Sequence, residues 1–508
     1  MAEPTMKKSL GLTGVTVNAM ALIAPGAFLW ITYQLQAANN GGDTDMWTGI
    51  VAALIVAFLT AISFSELARR YPEAGAGGSY YFAEKAFLDR ENSAHHRYAR
   101  IAKFATGWAA HLFYWVYPGV MVAMMAILVT YIFSQFGVTL SIPVQIGIAI
   151  LFSAGVGFIA VRGISGSTNV AIAINVIQLV SLIGFSILAI MFRVQNPLHA
   201  TQWVHASAGS VIFPHNLSAM LFQSTIAILI LVGFESSTSL AGEAINPKRD
   251  IPRGVVLSLI IQGLFAYLFE YFAANYAISE KLVYVAADGT KLTGMAAAAA
   301  SGAPIGDLTR LIGDAMLGGN GFALMIVVAF TVALAVIGTT LAAMNTAVRI
   351  SYAMSQDDEM PSILGALHEK HATPHMGVWL LVAVSAILGS VGVLSVTALT
   401  GVTLASNIGT FALYGLICIF TFVTFVGKNE FHSIKHAVIP LLGLIGNLGL
   451  LVGVVYIGLT TPGVSADATK MAIYMTGGWG VISVVYLIWN SKRMGKHIIP
   501  AASTTLKN

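Results

Sequence analysis

The chain has 508 residues, of which 57% are hydrophobic and 9% carry a charge. A soluble domain averages about 25% charged residues, so this chain cannot cover a water-facing surface of ordinary size. The composition excludes a soluble globular domain and predicts a protein whose solvent is lipid.

Long stretches without Asp, Glu, Lys or Arg predict membrane spans, because a spanning helix needs about 20 mostly apolar residues. Twelve spans fit the chain, so we predict an all-α membrane protein. Their expected positions are Gly14–Ala38, Trp47–Leu67, Thr106–Ser134, Pro143–Val161, Thr168–Phe192, Leu217–Ala241, Gly254–Ile278, a helix ending near Met354, and four helices after His375. Two connections are long, a basic loop over residues 69–103 and a segment over 279–320 in which Ala296–Ala300 predicts a short surface helix.

The distribution of basic residues predicts the orientation, since Lys and Arg are enriched in cytoplasmic loops. Of the 26 Lys and Arg residues, all but five lie on the side of the N-terminus. The five are Arg193, Lys281, Lys291, Arg310 and Lys470. We therefore predict cytoplasmic termini in a plasma membrane of the bacterial inner-membrane type, and no nucleic-acid binding. The single cysteine, Cys418, excludes a disulfide framework.

Two spans contain residues that interrupt a helix. In helix 1, Pro25 stands between Ala24 and Gly26 at the middle of the span, where a proline removes an N–H and clashes with the preceding turn. In helix 6, Gly233 precedes Glu235 at a similar depth. A simple proline kink and a packing glycine are the alternatives. Broken helices at corresponding positions of two halves are the pattern of a transporter binding site, and an acid in mid-membrane favours that interpretation.

Such breaks suit a zwitterionic or cationic solute. The carbonyl groups of Leu22, Ile23 and Ala24 would accept hydrogen bonds from an ammonium group. The N–H groups of Gly26 and Ala27 would donate to a carboxylate at the positive end of the following half-helix. We expect residues 232–237 of helix 6 to repeat this arrangement.

Three segments resemble the amino acid–polyamine–organocation (APC) superfamily of transporters. They are Gly233–Glu235 with Glu243–Pro252, Ser65–Gly75 with Gly78–Tyr80, and Arg349–Met354 with Pro361 and Thr373–Pro374. The resemblance implies a LeuT-like fold with broken helices 1 and 6, in which helices 6–10 repeat helices 1–5 with inverted topology. The implied units are residues 1–193 for the first repeat, 194–427 for the second, and 428–508 for helices 11 and 12 with a cytoplasmic tail.

The resemblance also implies a set of pocket residues. The substrate-binding candidates are Ile23, Ala24, Gly26, Ala27, Tyr114, Tyr117, Pro118, Gly233, Phe234, Glu235, Ser236 and Met344. One departure is Pro25, which stands where the family usually has Gly-Ser-Gly or similar. The site therefore offers one N–H donor fewer to a solute carboxylate, so amines remain candidate solutes.

Ion coupling is left open between sodium and protons, and no other cofactor is expected. Gln178 aligns with a lysine of proton-coupled relatives and cannot titrate. A sodium-like site would use helix 1 carbonyl groups with Thr339 and Thr340, whose hydroxyls more often bond their own helix.

Four further polar residues have competing interpretations. Glu270 in helix 7 is either a buried polar contact or a functional acid. His111 is either a packing residue whose ring a neighbour satisfies, which we expect, or a proton relay. Glu66 and Glu243 are expected to pair with Arg or Lys near the cytoplasmic ends of their helices.

The combined prediction is a secondary active transporter, not an enzyme, that moves amino acids by alternating access as a symporter or an exchanger. A transporter of polyamines or other organic amines is the alternative. A transporter-like receptor or sensor is the alternative from another class. The expected partners are a small amino acid or amine and the lipid bilayer, and the sequence does not predict the oligomeric state.

Overall fold

The computed structural model describes residues 9–23, 28–39, 45–163, 168–197, 207–286 and 288–500. Within these residues, eleven helices are long and apolar enough to cross a membrane, and Leu12–Leu22 forms a shorter apolar helix. The prediction of a helical, multi-pass membrane protein is confirmed at this level. Helices dominate because lipid offers no hydrogen-bond partners, so each span must satisfy its own backbone groups.

The first part of the chain contains seven α-helices. They are α1 (Leu12–Ile23), α2 (Leu29–Ala37), α3 (Met46–Arg70), α4 (Ser79–Leu88), α5 (Ala99–Ser134), α6 (Ile142–Val161) and α7 (Thr168–Gln195). α1 and α2 occupy the predicted helix 1, and residues 24–27 between them lie outside the described residues. The predicted loop 69–103 is largely helical, because it contains α4 and two 3-10 helices, Pro72–Gly77 and Ser93–Tyr98.

The second part begins with the predicted helices 6 and 7, and both are irregular. The first α-helices here are α8 (Ala208–Ile212), α9 (Leu217–Ala227), α10 (Pro247–Leu259) and α11 (Phe269–Ala277). Helix 6 continues after α9 as two 3-10 helices, Ile228–Ile230 and Phe234–Leu240. Helix 7 begins at Pro247, earlier than predicted, and a π-helix over Ile260–Leu268 joins α10 to α11.

A small hairpin follows helix 7 and was not predicted. Strands β1 (Val283–Val285) and β2 (Lys291–Thr293) pair antiparallel, with Tyr284 opposite Leu292. The expected short helix is present as α12 (Gly294–Ala300), but it is not a surface helix, because only Ala296 of its residues is exposed. The remaining helices are α13 (Pro304–Met316), α14 (Gly321–Gln356), α15 (His375–Gly392), α16 (Val396–Phe425), α17 (Ile439–Thr460) and α18 (Val464–Met494), with a 3-10 helix at Ser362–Gly365 and a π-helix at Ile434–Val438.

The core lies around α5, which packs against α14, α15 and α16. α1 packs against α10 and α14, and α3 packs against α9 and α10. Large apolar side chains are exposed along α17 and α18, including Val452, Tyr474 and Val481. This exposure is expected of helices whose outer face meets lipid.

The end of the molecule that carries Ser9, α4 and the connection between α14 and α15 is called the basic side below. Ion pairs tie its elements together. Glu66 pairs with Arg69, and Glu243 Oε1 lies 2.8 Å from Arg349 Nη2, so the predicted pairing of both acids is confirmed. Arg100 of α5 pairs with Glu359 beyond the end of α14 at 2.6 Å.

Candidate site at the break of helix 6

Helix 6 changes its geometry at Gly233. This residue has φ 125° and ψ −20°, a backbone conformation that glycine adopts without steric cost. A chain of hydroxyl groups then supports the 3-10 helix, since each bonds a carbonyl three residues earlier. The bonds are Ser236 to Gly233 at 2.6 Å and Ser237 to Phe234, Thr238 to Glu235 and Ser239 to Ser236 at 2.7 Å. The predicted interruption of helix 6 is therefore present in the structure.

Glu235 is buried at this break, and its carboxyl group accepts three hydrogen bonds. Its Oε1 accepts from the hydroxyl of Tyr114 in α5 at 2.8 Å. Its Oε2 accepts from the hydroxyl of Tyr414 in α16 at 2.7 Å and from the N–H of Gly233 at 2.9 Å. The carboxyl group thus connects helices 3, 6 and 10 of the predicted numbering.

Aromatic rings enclose the carboxyl group. The ring centroids of Phe234 and Tyr414 lie 5.4 Å apart, and Phe64 of α3 lies 5.8 Å from Tyr414 and 6.1 Å from Phe234. On the α5 side, the rings of Phe113 and Tyr114 are 4.3 Å apart. These rings exclude water, which strengthens polar interactions inside the site.

The last turn of α1 is held by side chains from three other helices. Its carbonyl groups accept hydrogen bonds from Gln262 to Met20 at 2.8 Å, from Thr339 to Ala21 at 2.9 Å and from Tyr117 to Leu22 at 3.3 Å. α1 therefore ends with carbonyl groups that accept hydrogen bonds from the side chains of helices 3, 7 and 8.

Several predicted site residues of helix 1 cannot be placed. Ala24, Gly26 and Ala27 lie outside the described residues, and of Ile23 only the backbone is described. Their predicted roles stay predictions. The described part of helix 1 nevertheless reaches the site, because Leu22 contacts Tyr117 and Tyr117 lies on the same face of α5 as Tyr114.

Pro118 has a specific local effect within α5. A proline in a helix provides no N–H for the carbonyl four residues earlier, which here belongs to Tyr114. Pro118 therefore cannot donate to the carbonyl of Tyr114, the residue whose hydroxyl binds Glu235. Met344 is buried in α14, which packs against α1 and α5.

The three candidates for ion coupling form hydrogen bonds to three different carbonyl groups. Thr339 reaches Ala21 of α1, whereas Thr340 bonds Val336 of its own helix at 2.6 Å. Gln178 of α7 donates to the carbonyl of Thr331 at 3.3 Å, about two turns of α14 before Thr339. Only Thr339 of these three bonds helix 1 within the described residues.

The two undecided residues outside the site have different surroundings. His111 has partners at both ring nitrogens, the Gly107 carbonyl at 2.5 Å and the Ser351 hydroxyl at 2.8 Å, as expected of a packing residue. Glu270 is completely buried, and neither carboxyl oxygen has a hydrogen-bond partner among the described residues.

Tyr414 and Gln262 were not among the predicted site residues. Each stands in an apolar span, and a buried tyrosine hydroxyl or amide requires a polar partner. That requirement marks both residues as candidates for tertiary contacts, but it does not identify the partner.

Two curated proteins are similar to this chain over most of its length. The low-affinity putrescine importer PlaP of Escherichia coli K12 is 22% identical over 502 residues, which cover 95% of this chain and 93% of that protein. The branched-chain amino acid permease BcaP of Bacillus subtilis is 22% identical over 438 residues, which cover 82% of this chain and 81% of that protein.

A third similar protein has a different kind of solute in its name. The methylthioribose transporter of Bacillus subtilis is 22% identical over 398 residues, which cover 78% of this chain and 76% of that protein. The sequence model of the amino acid permease family matches residues 9–484. The chain therefore belongs to the amino acid permease family of the APC superfamily, whose members are membrane transporters and not enzymes.

Proposed function

We infer that the chain is a secondary active transporter of small solutes that carry an ammonium group, with amino acids as the first candidates. The observation that carries this proposal is Glu235, a buried carboxyl group at the break of helix 6. The end of α1 supplies a further acceptor beside the same face of α5, the Leu22 carbonyl that accepts from Tyr117. An ammonium group needs such acceptors, since it carries three donors and no acceptor.

Organic amines such as diamines are the second candidate, and the charge of the site favours them. Among the described residues, the hydrogen-bond partners of the Glu235 carboxyl are Tyr114, Tyr414 and Gly233, and none is a Lys or Arg. A solute carboxylate would thus depend on backbone N–H groups of residues 26 and 27, because Pro25 offers none. PlaP, the putrescine importer, is consistent with this second candidate.

We propose alternating access around the two breaks as the mechanism. The proposal includes twelve spans, if α1 and α2 form helix 1, and an inverted repeat of helices 1–5 and 6–10. The pairing of Glu243 with Arg349 closes the basic side, where Leu10 also forms a β-bridge with Ala244. At the opposite end, a cavity of about 450 Å³ is lined by Gln34, Tyr131 and Asp307, among others.

We place the basic side in the cytoplasm of a bacterial-type cell, which the distribution of Lys and Arg supports. Release on that side would require the pairing of Glu243 with Arg349 to open. The direction of net transport depends on the gradients of solute and coupling ion. The residue ranges of the two repeats, 1–193 and 194–427, belong to the same proposal.

The test is uptake by the purified protein in proteoliposomes. Radiolabelled amino acids with apolar, polar and cationic side chains are compared with putrescine and other amines, each against an excess of unlabelled competitor. We expect saturable uptake of at least one ammonium-bearing solute. Binding without flux would identify a receptor or sensor. If the panel shows neither binding nor flux, the proposal is overturned.

Glu235→Gln sharpens this test, because the amide has nearly the same shape without the charge. We expect it to abolish the binding of cationic solutes. Glu369→Gln is the matched control, since Glu369 is exposed in the loop between α14 and α15. Unchanged affinity in Glu235→Gln would exclude a direct contact between Glu235 and the ammonium group.

A further inference from the structure

Glu270 is a buried acid whose carboxyl oxygens have no hydrogen-bond partner among the described residues. Its side chain lies in α11 and is completely buried. The carboxyl group of Glu235, at the break of helix 6, is also buried, but it accepts three hydrogen bonds. The interpretation of Glu270 as a simple buried polar contact therefore has no contact to support it.

The helical positions of its neighbours show that Glu270 faces the protein interior. Tyr271 and Asn275 face α2, because both contact Tyr33. The ring of Tyr271 lies 5.8 Å from the ring of Tyr33, and Asn275 accepts a hydrogen bond of 2.8 Å from the Tyr33 hydroxyl. Tyr276 faces α7, where Arg193 lies 5.3 Å from its ring. Successive residues of a helix are about 100° apart, which puts Glu270 about 120° from both directions, on a third face of α11. That face is buried too, because Ala273, Ala274 and Ala277 lie on it and are completely buried.

No cation lies close to this carboxyl group among the described residues. α11 packs against α7, α3, α8 and the π-helix. On α7 the charged residue is Arg193, and its contact with Tyr276 is six residues from Glu270, or about 9 Å along the axis. α8 carries no titratable residue, and the π-helix contributes Tyr267.

α3 brings no cation to this depth either; the charged residue at its start is the acid Asp45, whose carboxyl oxygens accept hydrogen bonds from the backbone N–H groups of His215 and Asn216. Trp47 of α3 donates a hydrogen bond of 2.8 Å to the carbonyl of Leu268, so the first turn of α3 lies beside the start of α11. The charged residues within α3 are at its other end. The first of them, Glu66, is nineteen residues later, or about 28 Å along the helix.

A buried carboxylate without a cation or hydrogen-bond donors is costly, so such a group binds a proton and becomes neutral. Loss of that proton creates a charge that only water or a cation can stabilise. Deprotonation of Glu270 therefore requires the access of water or a cation, which the proposed transport cycle would change.

The adjoining π-helix connects this position to helix 1. Wider π-helical turns are rare and occur frequently at functional sites. Here the π-helix carries Gln262, which donates to the carbonyl of Met20 in the last turn of α1. A change at Glu270 can thus reach the end of α1 through one short segment, the π-helix.

We propose that Glu270 is the binding site of a proton that is co-transported with the solute. The carboxylate takes up one proton from water on the side opposite the basic side and becomes a carboxylic acid. It releases the same proton to water on the basic side after the conformational change. The inference rests on the proposed transport function, whose coupling ion it names.

The experiment measures proton movement in proteoliposomes that contain a pH-sensitive dye. Leucine or putrescine is added outside, and acidification inside is recorded together with labelled-solute uptake. We expect solute-driven acidification with the wild type. Glu270→Gln, which resembles the protonated acid, should lose this proton movement and keep solute counterflow. Glu280→Gln, the same change at an exposed position beyond helix 7, should behave as the wild type.

A second variant and a second measurement keep the proposal testable if Glu270→Gln does not fold. Glu270→Asp retains a carboxyl group and should retain proton movement. Infrared spectroscopy of the wild type should show the C=O stretching band of a protonated carboxylic acid, which is lost in Glu270→Gln or shifted in Glu270→Asp.

The outcomes separate this proposal from the proposed function. Solute flux without proton movement in the wild type, or proton movement that persists in Glu270→Gln, overturns the role of Glu270 and leaves transport intact. Absence of any solute flux contradicts the transport function. In that case a carboxylic acid band that neither variant alters would also exclude Glu270 as a proton site.

Discussion

The hydroxyl of Tyr414 donates a hydrogen bond of 2.7 Å to Oε2 of Glu235, although 179 positions separate the two residues. The bond crosses from α16 to the broken segment of helix 6, while the bond from Tyr114 approaches the same carboxyl group from α5. Any solute that binds Glu235 must compete with or reorganise these bonds. A rearrangement of helix 6 would therefore change the hydrogen bonds of helices 3 and 10.

Tyr414→Phe tests this connection. The variant leaves Oε2 with the single donor Gly233, and an unmade hydrogen bond to a buried acceptor costs about 1–3 kcal/mol. We expect a lower unfolding temperature in detergent and weaker binding of an ammonium-bearing solute. Tyr474→Phe is the matched control, because Tyr474 is 77% exposed. Equal stability and equal affinity of both variants would contradict a role for the Tyr414 bond.

The break of helix 6 was predictable because glycine is the one residue type that takes a positive φ without strain. The position of Glu235 in the same break followed from its neighbours in sequence. The run of hydroxyls after Glu235 was visible too, but whether they bond the backbone or a ligand depends on local geometry. The structure gives the backbone bonds, which support a 3-10 helix.

The partners of Glu235 were harder to predict. Tyr114 entered the prediction through the family resemblance, whereas Tyr414 did not. Sequence spacing carries no information about which spans are neighbours when long loops separate them. Gln262 was missed for the same reason, since its bond to Met20 joins helices 7 and 1 across 242 positions.

The two neighbouring threonines of α14 provide an internal comparison. Thr339 bonds Ala21 of α1, and Thr340 bonds its own helix. We expect Thr339→Val to slow solute uptake and Thr340→Val to leave it unchanged, because only the first variant frees the end of helix 1. Uptake is measured in sodium and in choline buffers. Equal uptake by both variants would show that the Ala21 bond is dispensable.

Asp89 predicts an effect of pH on stability outside the membrane spans. Burial acts to raise the pKa of the Asp89 carboxyl, but hydrogen bonds from Lys428 and Arg70 outweigh it and hold this pKa below its ordinary value. The carboxyl joins the ends of α3 and α4 to the turn after α16. This contribution is present above the pKa of the unfolded chain and is lost as pH falls through the folded pKa.

Asp89→Asn should therefore lower stability at neutral pH by about 1 kcal/mol or less, because the group is partly exposed to solvent. The difference from the wild type should shrink on acidification. Thermal unfolding across a pH series measures it, with the exposed Glu91→Gln as control. A difference that stays constant down to acidic pH would exclude the proposed ion pairs as its source.

The approach of α16 to α5 sets the distance that both tyrosines must span to reach Glu235. A Cβ atom added at Gly409 would lie 2.7 Å from the backbone nitrogen of Phe113, a residue adjacent to Tyr114. Backbone atoms cannot rotate away, so Gly409→Ala must push the two helices apart. Overpacking of this kind costs about 1–3 kcal/mol.

We expect Gly409→Ala to lower the unfolding temperature and to weaken solute binding together, because the shift separates Tyr414 from Tyr114. Gly449→Ala in α17 is the matched control, since nothing lies within 4 Å of the added Cβ atom there. Replacement of a mid-helix glycine by alanine is otherwise favourable by about 0.8–1.0 kcal/mol, so the control should be as stable as the wild type or more stable. If Gly409→Ala binds solute with wild-type affinity, the spacing of α5 and α16 does not determine the geometry at Glu235.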